Sequence, residues 1–157
     1  MGRQTASLPE NANDHPRGEA ESQPSGDAGH DVIPLLASVF SAKAIQHGRH
    51  PANVGRMAHP DAHASRVGWC GEVMEMYLRL DGDRVVEATF WADGCLSTMA
   101  CGDMLTTMAK GMTVDAVAAI LPETLIAALD GLPYKSHHCA ELSTETMREA
   151  IASRRPG

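Results

Sequence analysis

Two short runs of alternating polarity leave this chain few folds to choose from. Over residues 72–80, Met74, Met76, Leu78 and Leu80 face one way, while Glu75, Tyr77 and Arg79 face the other. A period of two is that of a β-strand with one buried face. Asp81-Gly82-Asp83 supplies turn chemistry. A second alternating run then sets Val86, Ala88 and Phe90 on one face, with Val85, Glu87, Thr89 and Trp91 opposite. Two strands joined by a tight turn predict an antiparallel hairpin whose apolar face must be covered.

The rest of the sequence supplies the cover. Leu96, Met99, Ala100, Met104, Leu105 and Met108 recur at helical spacing, and Gly111 suits the position just past a helix. Thr113 can cap a short helix carrying Val114, Val117 and Ala118, with Asp115 in its first turn. Pro122-Glu123 opens another, through Leu125, Ile126 and Leu129, that stops at Gly131. A final helix is expected over about residues 138–154, with Leu142, Thr146, Met147, Ala150 and Ile151 as its buried stripe and Arg148, Arg154 and Arg155 toward its C-terminal end. Upstream, Leu35, Leu36, Val39, Phe40 and Ala44 predict a helix over residues 34–47, ended by Pro51, and residues 51–65 read as loop. The expected fold is α+β: a small antiparallel β-sheet with helices packed on one face. Aromatics make up only 4% of the chain, so its nine Met must help fill the core. Residues 1–31 are rich in Gly, Pro, Ser, Asn, Glu and Asp and carry almost nothing to bury, which predicts a disordered acidic N-terminal tail before one domain over residues 32–157.

Charge and hydropathy exclude several roles. A net charge of −7 argues against nucleic acid or an anionic membrane surface as partner. No apolar stretch approaches the roughly 20 residues that span a bilayer. Nothing apolar follows Met1-Gly2-Arg3, and the first residues are too acidic for a transit peptide. A cytoplasmic location is the expectation. In that reducing compartment the four cysteines suit metal ligation or thiol chemistry better than disulfides.

Three cysteines sit where such chemistry is favoured. Cys70 lies in Gly68-Trp69-Cys70-Gly71, directly before the first expected strand. Cys95 follows Asp93-Gly94, where the hairpin ends and a helix begins, and Cys139 lies at the opening turn of the last helix. Helix N-termini favour the thiolate, which is the form that binds metal or attacks sulfur. The competing reading is three small buried hydrophobes, a common fate of free Cys. The glycines around Cys70 and before Cys95, and the pair His137-His138 before Cys139, are poor core material and better suited to a site. Cys101, on the face of Met104, Leu105 and Met108, reads as core.

At this point the residues resemble a known family. The stretch from Phe40-Ser41-Ala42-Lys43 to His50-Pro51-Ala52-Asn53-Val54-Gly55 is similar to the first helix and Asn-Pro-x-Asn-Val-Gly loop of U-type iron–sulfur scaffold proteins, the family of IscU and the N-terminal part of NifU. Trp69-Cys70-Gly71-Glu72 resembles that family's first cysteine loop, with Glu72 where Asp is usual. Asp93-Gly94-Cys95 resembles the second, Lys110-Gly111-Met112-Thr113 the step after the following helix, and the segment from Leu132-Pro133 to His138-Cys139 the third. The resemblance covers about residues 38–154, in order.

It implies a scaffold, not an enzyme. A cysteine desulfurase would deliver sulfur, iron would join it, and a labile 2Fe-2S cluster would form and pass to apo iron–sulfur acceptor proteins. Carried over by position, Cys70, Cys95 and Cys139 are the ligands, with Glu72 or His138 as the fourth group. Three thiolates plus one weaker ligand suit a cluster that must also leave. Leu132-Pro133-Tyr134-Lys135-Ser136 departs from the family's chaperone-recognition stretch, which argues against a dedicated Hsp70-type partner. A homodimer stays open, as does the resting metal. Three Cys with a His or carboxylate also form a plausible tetrahedral Zn2+ site, whether for sulfur transfer, as a structural module, or as an enzyme with Glu72 as base.

Overall fold

A computed structural model describes residues 35–154. The expected tail, the start of the expected first helix and Arg155 lie outside the described residues. Among those described, no helix is long and apolar enough to cross a membrane.

The hairpin is present, with one more strand than expected. β1 (Ala62–Val67), β2 (Val73–Asp81) and β3 (Arg84–Asp93) form an antiparallel sheet in that order. β1 lies in the region expected as loop. Its inward residues are only Ala62 and Ala64, opposite Leu78 and Met76. Small side chains beneath a helix carry little of the polarity contrast that betrays a strand. The inner face of the other strands is buried at Met74, Met76, Leu78, Ala88 and Phe90, as the alternation requires. Val85 and Val86 reverse the expectation: Val85 is buried and Val86 exposed. The cause is an irregularity beside Arg79 and Leu80. Arg79 pairs with Glu87 and Leu80 with Val85, so one residue is added and the side-chain parity flips.

The helices follow as α1 (Ala42–Arg49), α2 (Leu96–Ala109), α3 (Val114–Ala118), α4 (Pro122–Ala128) and α5 (His137–Ala152), the last preceded by a 3-10 turn, Tyr134–Ser136. The expected first helix is interrupted: residues 35–37 are helical, a turn follows, and α1 begins only at Ala42. Ser41 caps it, accepting from Ala44 N at 3.0 Å, and of the expected stripe Leu35 and Val39 are exposed. Thr113 caps α3 and Pro122 opens α4 as anticipated. The stripe on α5 is buried throughout. α5 packs on β1 and β2, while α2 packs on β3 and against α1 and α5.

α2 does not show the one-sided stripe expected of it. Enclosed on several sides, it buries Ser97, Thr98, Asp103 and Thr106 along with Ala100, Cys101 and Leu105. Gly102 lets it approach β3, because a Cβ there would stand 2.4 Å from the Phe90 ring. The buried polar groups are employed. Asp103 accepts from Asn53 N at 2.9 Å and pairs with His47 Nδ1 at 2.6 Å. Asn53 donates to Thr106 and Thr107 and accepts from Lys110 Nζ at 2.6 Å. Phe90 N donates to Asn53 O and Gly55 N to Phe90 O, so the segment around Val54 runs parallel to β3 along its free edge. These bonds tie the segment around Asn53 to the middle of β3 and to the C-terminal half of α2.

Candidate metal centre

Strand pairing brings the cysteine segments to one end of the sheet. Val67 pairs with Val73, and Val73 pairs with Asp93. The turn between β1 and β2, which carries Cys70, therefore lies beside the chain leaving β3 toward Cys95. Gly68 N donates to Glu72 O at 2.7 Å and Gly71 N to Gly68 O at 2.9 Å. Gly71 takes φ +87°, a region costly for other residues. Cys70 thus stands at the tip of a hairpin turn, exposed. The opening turn of α5 arrives over the same end and brings His138 and Cys139.

Single ligand atoms of Cys70, Glu72 and His138 all lie within 4.8 Å of one another. His138 Nε2 is 3.2 Å from Glu72 Oε1 and 3.6 Å from Cys139 Sγ. Thr98 Oγ1 lies 3.6 Å from Cys139 Sγ and 3.5 Å from Cys95 Sγ. All five residues singled out from the sequence therefore form one contiguous group. Cys101 is fully buried among core side chains, where burial pushes its thiol up.

The donors are poised unequally. Glu72 is only 8% exposed, yet neither of its carboxylate oxygens has a hydrogen-bond partner among the described residues. Leaving a buried carboxylate with no hydrogen bond and only the His138 ring 3.2 Å away is costly, and a cation between it, Cys70 and His138 would remove that cost. Space for the longer acid comes from Gly68, where a Cβ would stand 2.7 Å from Glu72 Oε1. Cys95 stands, exposed, at the position just before the first turn of α2. A hydrogen bond from Cys139 holds its thiol down to about 4, helped by the Thr98 hydroxyl and the backbone N–H groups of Thr98 and Ser97. The same bond, with burial, pushes the Cys139 thiol up. Burial and the charges of Glu72 and Cys95 push Cys70 up. Trp69 packs its ring 5.1 Å from that of His138 while remaining 81% exposed.

The set of three thiols, one carboxylate and one imidazole fits a soft metal centre. Sequence reasoning missed Thr98. The available signal was its place three residues after Cys95, the spacing at which a helix-capping residue and the third helical position meet. The glycines beside the cysteines, poor material for a core, have a physical reason: Gly68 leaves space for Glu72 and Gly94 for Thr98.

Comparison with known proteins follows the same lines. Residues 39–155 match the family described as NifU-like N terminal domain. The chain is 33% identical over 115 residues to "Iron-sulfur cluster assembly scaffold protein IscU 1" of Archaeoglobus fulgidus, covering 72% of this chain and 74% of that protein. It is 31% identical over 118 residues to "Iron-sulfur cluster assembly scaffold protein IscU" of Escherichia coli, covering 72% of this chain and 91% of that protein. In fold it is similar to the crystal structure of a NifU-like N-terminal protein from Brucella abortus, with TM-score 0.60 at 17% identity over 75% of this chain and 95% of that one.

Proposed function

The chain belongs to the family of NifU-like N-terminal domains, and from that premise we propose that it is a scaffold on which an iron–sulfur cluster is built and then handed on. The observation that carries this reading is the buried carboxylate of Glu72, which makes no hydrogen bond among the described residues and stands 3.2 Å from His138, beside Cys70 and the Cys95–Cys139 pair. Such a group suits cargo that arrives positively charged and leaves again.

In this reading Cys70, Cys95 and Cys139 hold a 2Fe-2S cluster, with Glu72 or His138 as the exchangeable fourth ligand. Sulfur comes from a cysteine desulfurase as a persulfide. The exposure of Cys95 and its held-down thiol favour it as the attacking group. Its thiolate attacks the outer sulfur of the donor persulfide; one S–S bond forms here, the donor's breaks, and the donor leaves as a thiolate. The bound sulfur becomes sulfide when two external thiols supply two electrons and depart as a disulfide. Cys139, buried beneath, keeps its proton until iron displaces it. Glu72 can release iron without a soft Fe–S bond having to break.

Transfer tests the proposal. Loaded anaerobically, the protein should give its cluster to an apo-ferredoxin, seen as the acceptor's visible spectrum rising while the donor's falls. A loaded protein that keeps its iron in the presence of excess apo-acceptor would argue for a resident cofactor.

A further inference from the structure

Two of the three thiols are tied together by a side chain that is not itself a ligand. Thr98 is 1% exposed, one turn into α2, and its hydroxyl lies between Cys95 Sγ and Cys139 Sγ at 3.5 and 3.6 Å. A hydroxyl has one hydrogen to give and two lone pairs to receive with, so it can donate to one sulfur while accepting from the other. Other buried hydroxyls on these helices behave differently. Thr106, Ser143, Thr144 and Thr146 each return theirs to the backbone carbonyl one turn back, at 2.6–3.0 Å. Thr98 directs its hydroxyl to the two sulfurs instead. The room for it is made by Gly94, where a Cβ would stand 2.6 Å from Thr98 Oγ1 and 2.8 Å from its Cβ. Cys70, on its exposed turn, has no such tie.

We propose that Thr98 is a positioning residue: its hydroxyl fixes the sulfur at the start of α2 relative to the sulfur at the start of α5. Two thiols are then set before iron arrives, and Cys70, Glu72 and His138 form the half of the site that adjusts. This rests on the scaffold reading and adds to it a division of labour. Partners that orient metal ligands in this way typically carry about 10–100-fold in metal affinity.

The test titrates Co2+ into the reduced, metal-free protein under anaerobic conditions and follows the sulfur-to-cobalt charge-transfer band. Wild type, Thr98→Ser, Thr98→Val and Gly94→Ala are compared, with a melting temperature for each. Thr98→Val, which keeps the shape and loses the hydroxyl, should bind Co2+ about tenfold more weakly, and Thr98→Ser should bind as wild type does. Gly94→Ala, which keeps the hydroxyl but displaces it, should weaken binding too and carries the test if Thr98→Val does not fold. Wild-type affinity in both Thr98→Val and Gly94→Ala would overturn the proposal. So would equal losses in Thr98→Ser and Thr98→Val, since packing alone would then explain them. A wild-type protein that binds neither Co2+ nor a cluster would overturn the scaffold reading itself. A Thr98→Val protein that assembles a cluster as well as wild type does would overturn only the role of Thr98.

Discussion

At the scale of single residues, the site is a set of unequal donors whose differences have local causes. Glu72 is the clearest case, because a buried carboxylate without hydrogen bonds gains more from a cation than an exposed one does. Glu72→Ala should therefore slow cluster transfer to an apo-acceptor more than it reduces assembly; unchanged transfer kinetics would leave His138 as the better fourth ligand. Cys95 offers a pH test. Its folded value lies at about 4 against an ordinary 9.0, so the folded, metal-free protein favours the thiolate. The stability this contributes is complete above the unfolded value and is lost as pH falls toward the folded one. Alkylation of Cys95, resolved by mass spectrometry, should persist where an ordinary thiol has stopped reacting and fade only as pH approaches 4. Cys101, fully buried, should stay unmodified while the fold stands.

At the scale of elements, α2 joins the core to the site. Cys101 faces the core, so Cys101→Ala should keep the cluster chromophore and cost on the order of 1 kcal/mol in denaturant unfolding. Gly102→Ala should cost more, about 1–3 kcal/mol, because the new Cβ meets the Phe90 ring. The elements with a strong polarity period were legible in the sequence: β2, most of β3, α5 and the capped short helices. β1 was hidden by its alanines, and α1 is fixed by the Ser41 cap more than by an apolar stripe. The swap of Val85 and Val86 came from a bulge, which alternation alone does not reveal. The one-sided pattern expected of α2 failed because a helix enclosed on several sides keeps too narrow a solvent face to contrast. The five candidate site residues were legible because chemistry and local context mark them. Thr98 was not, since its significance lies in a sulfur on another helix.

At the scale of the whole molecule, a three-stranded sheet and its helices bring three distant cysteine segments to one end, where a turn tip and two helix starts meet. Exposed ion pairs such as Arg66 with Glu145 and Glu149 fasten α5 beside β1, though pairs of this kind contribute about 0–1 kcal/mol each. We expect the work to be done by residues 32–157, because the sequence of residues 1–31 offers almost nothing to bury. Deleting them should leave melting temperature and metal binding unchanged; a large drop in melting temperature would make them part of the domain. The central claim is tested most directly by counting iron and acid-labile sulfide in the protein after anaerobic reconstitution with iron, cysteine and a cysteine desulfurase. Equal amounts of iron and sulfide are predicted, with a visible chromophore that survives Cys101→Ala and is lost or short-lived in Cys70→Ala, Cys95→Ala and Cys139→Ala. Zinc without sulfide in the same protein, or a chromophore indifferent to those three cysteines, would contradict the account.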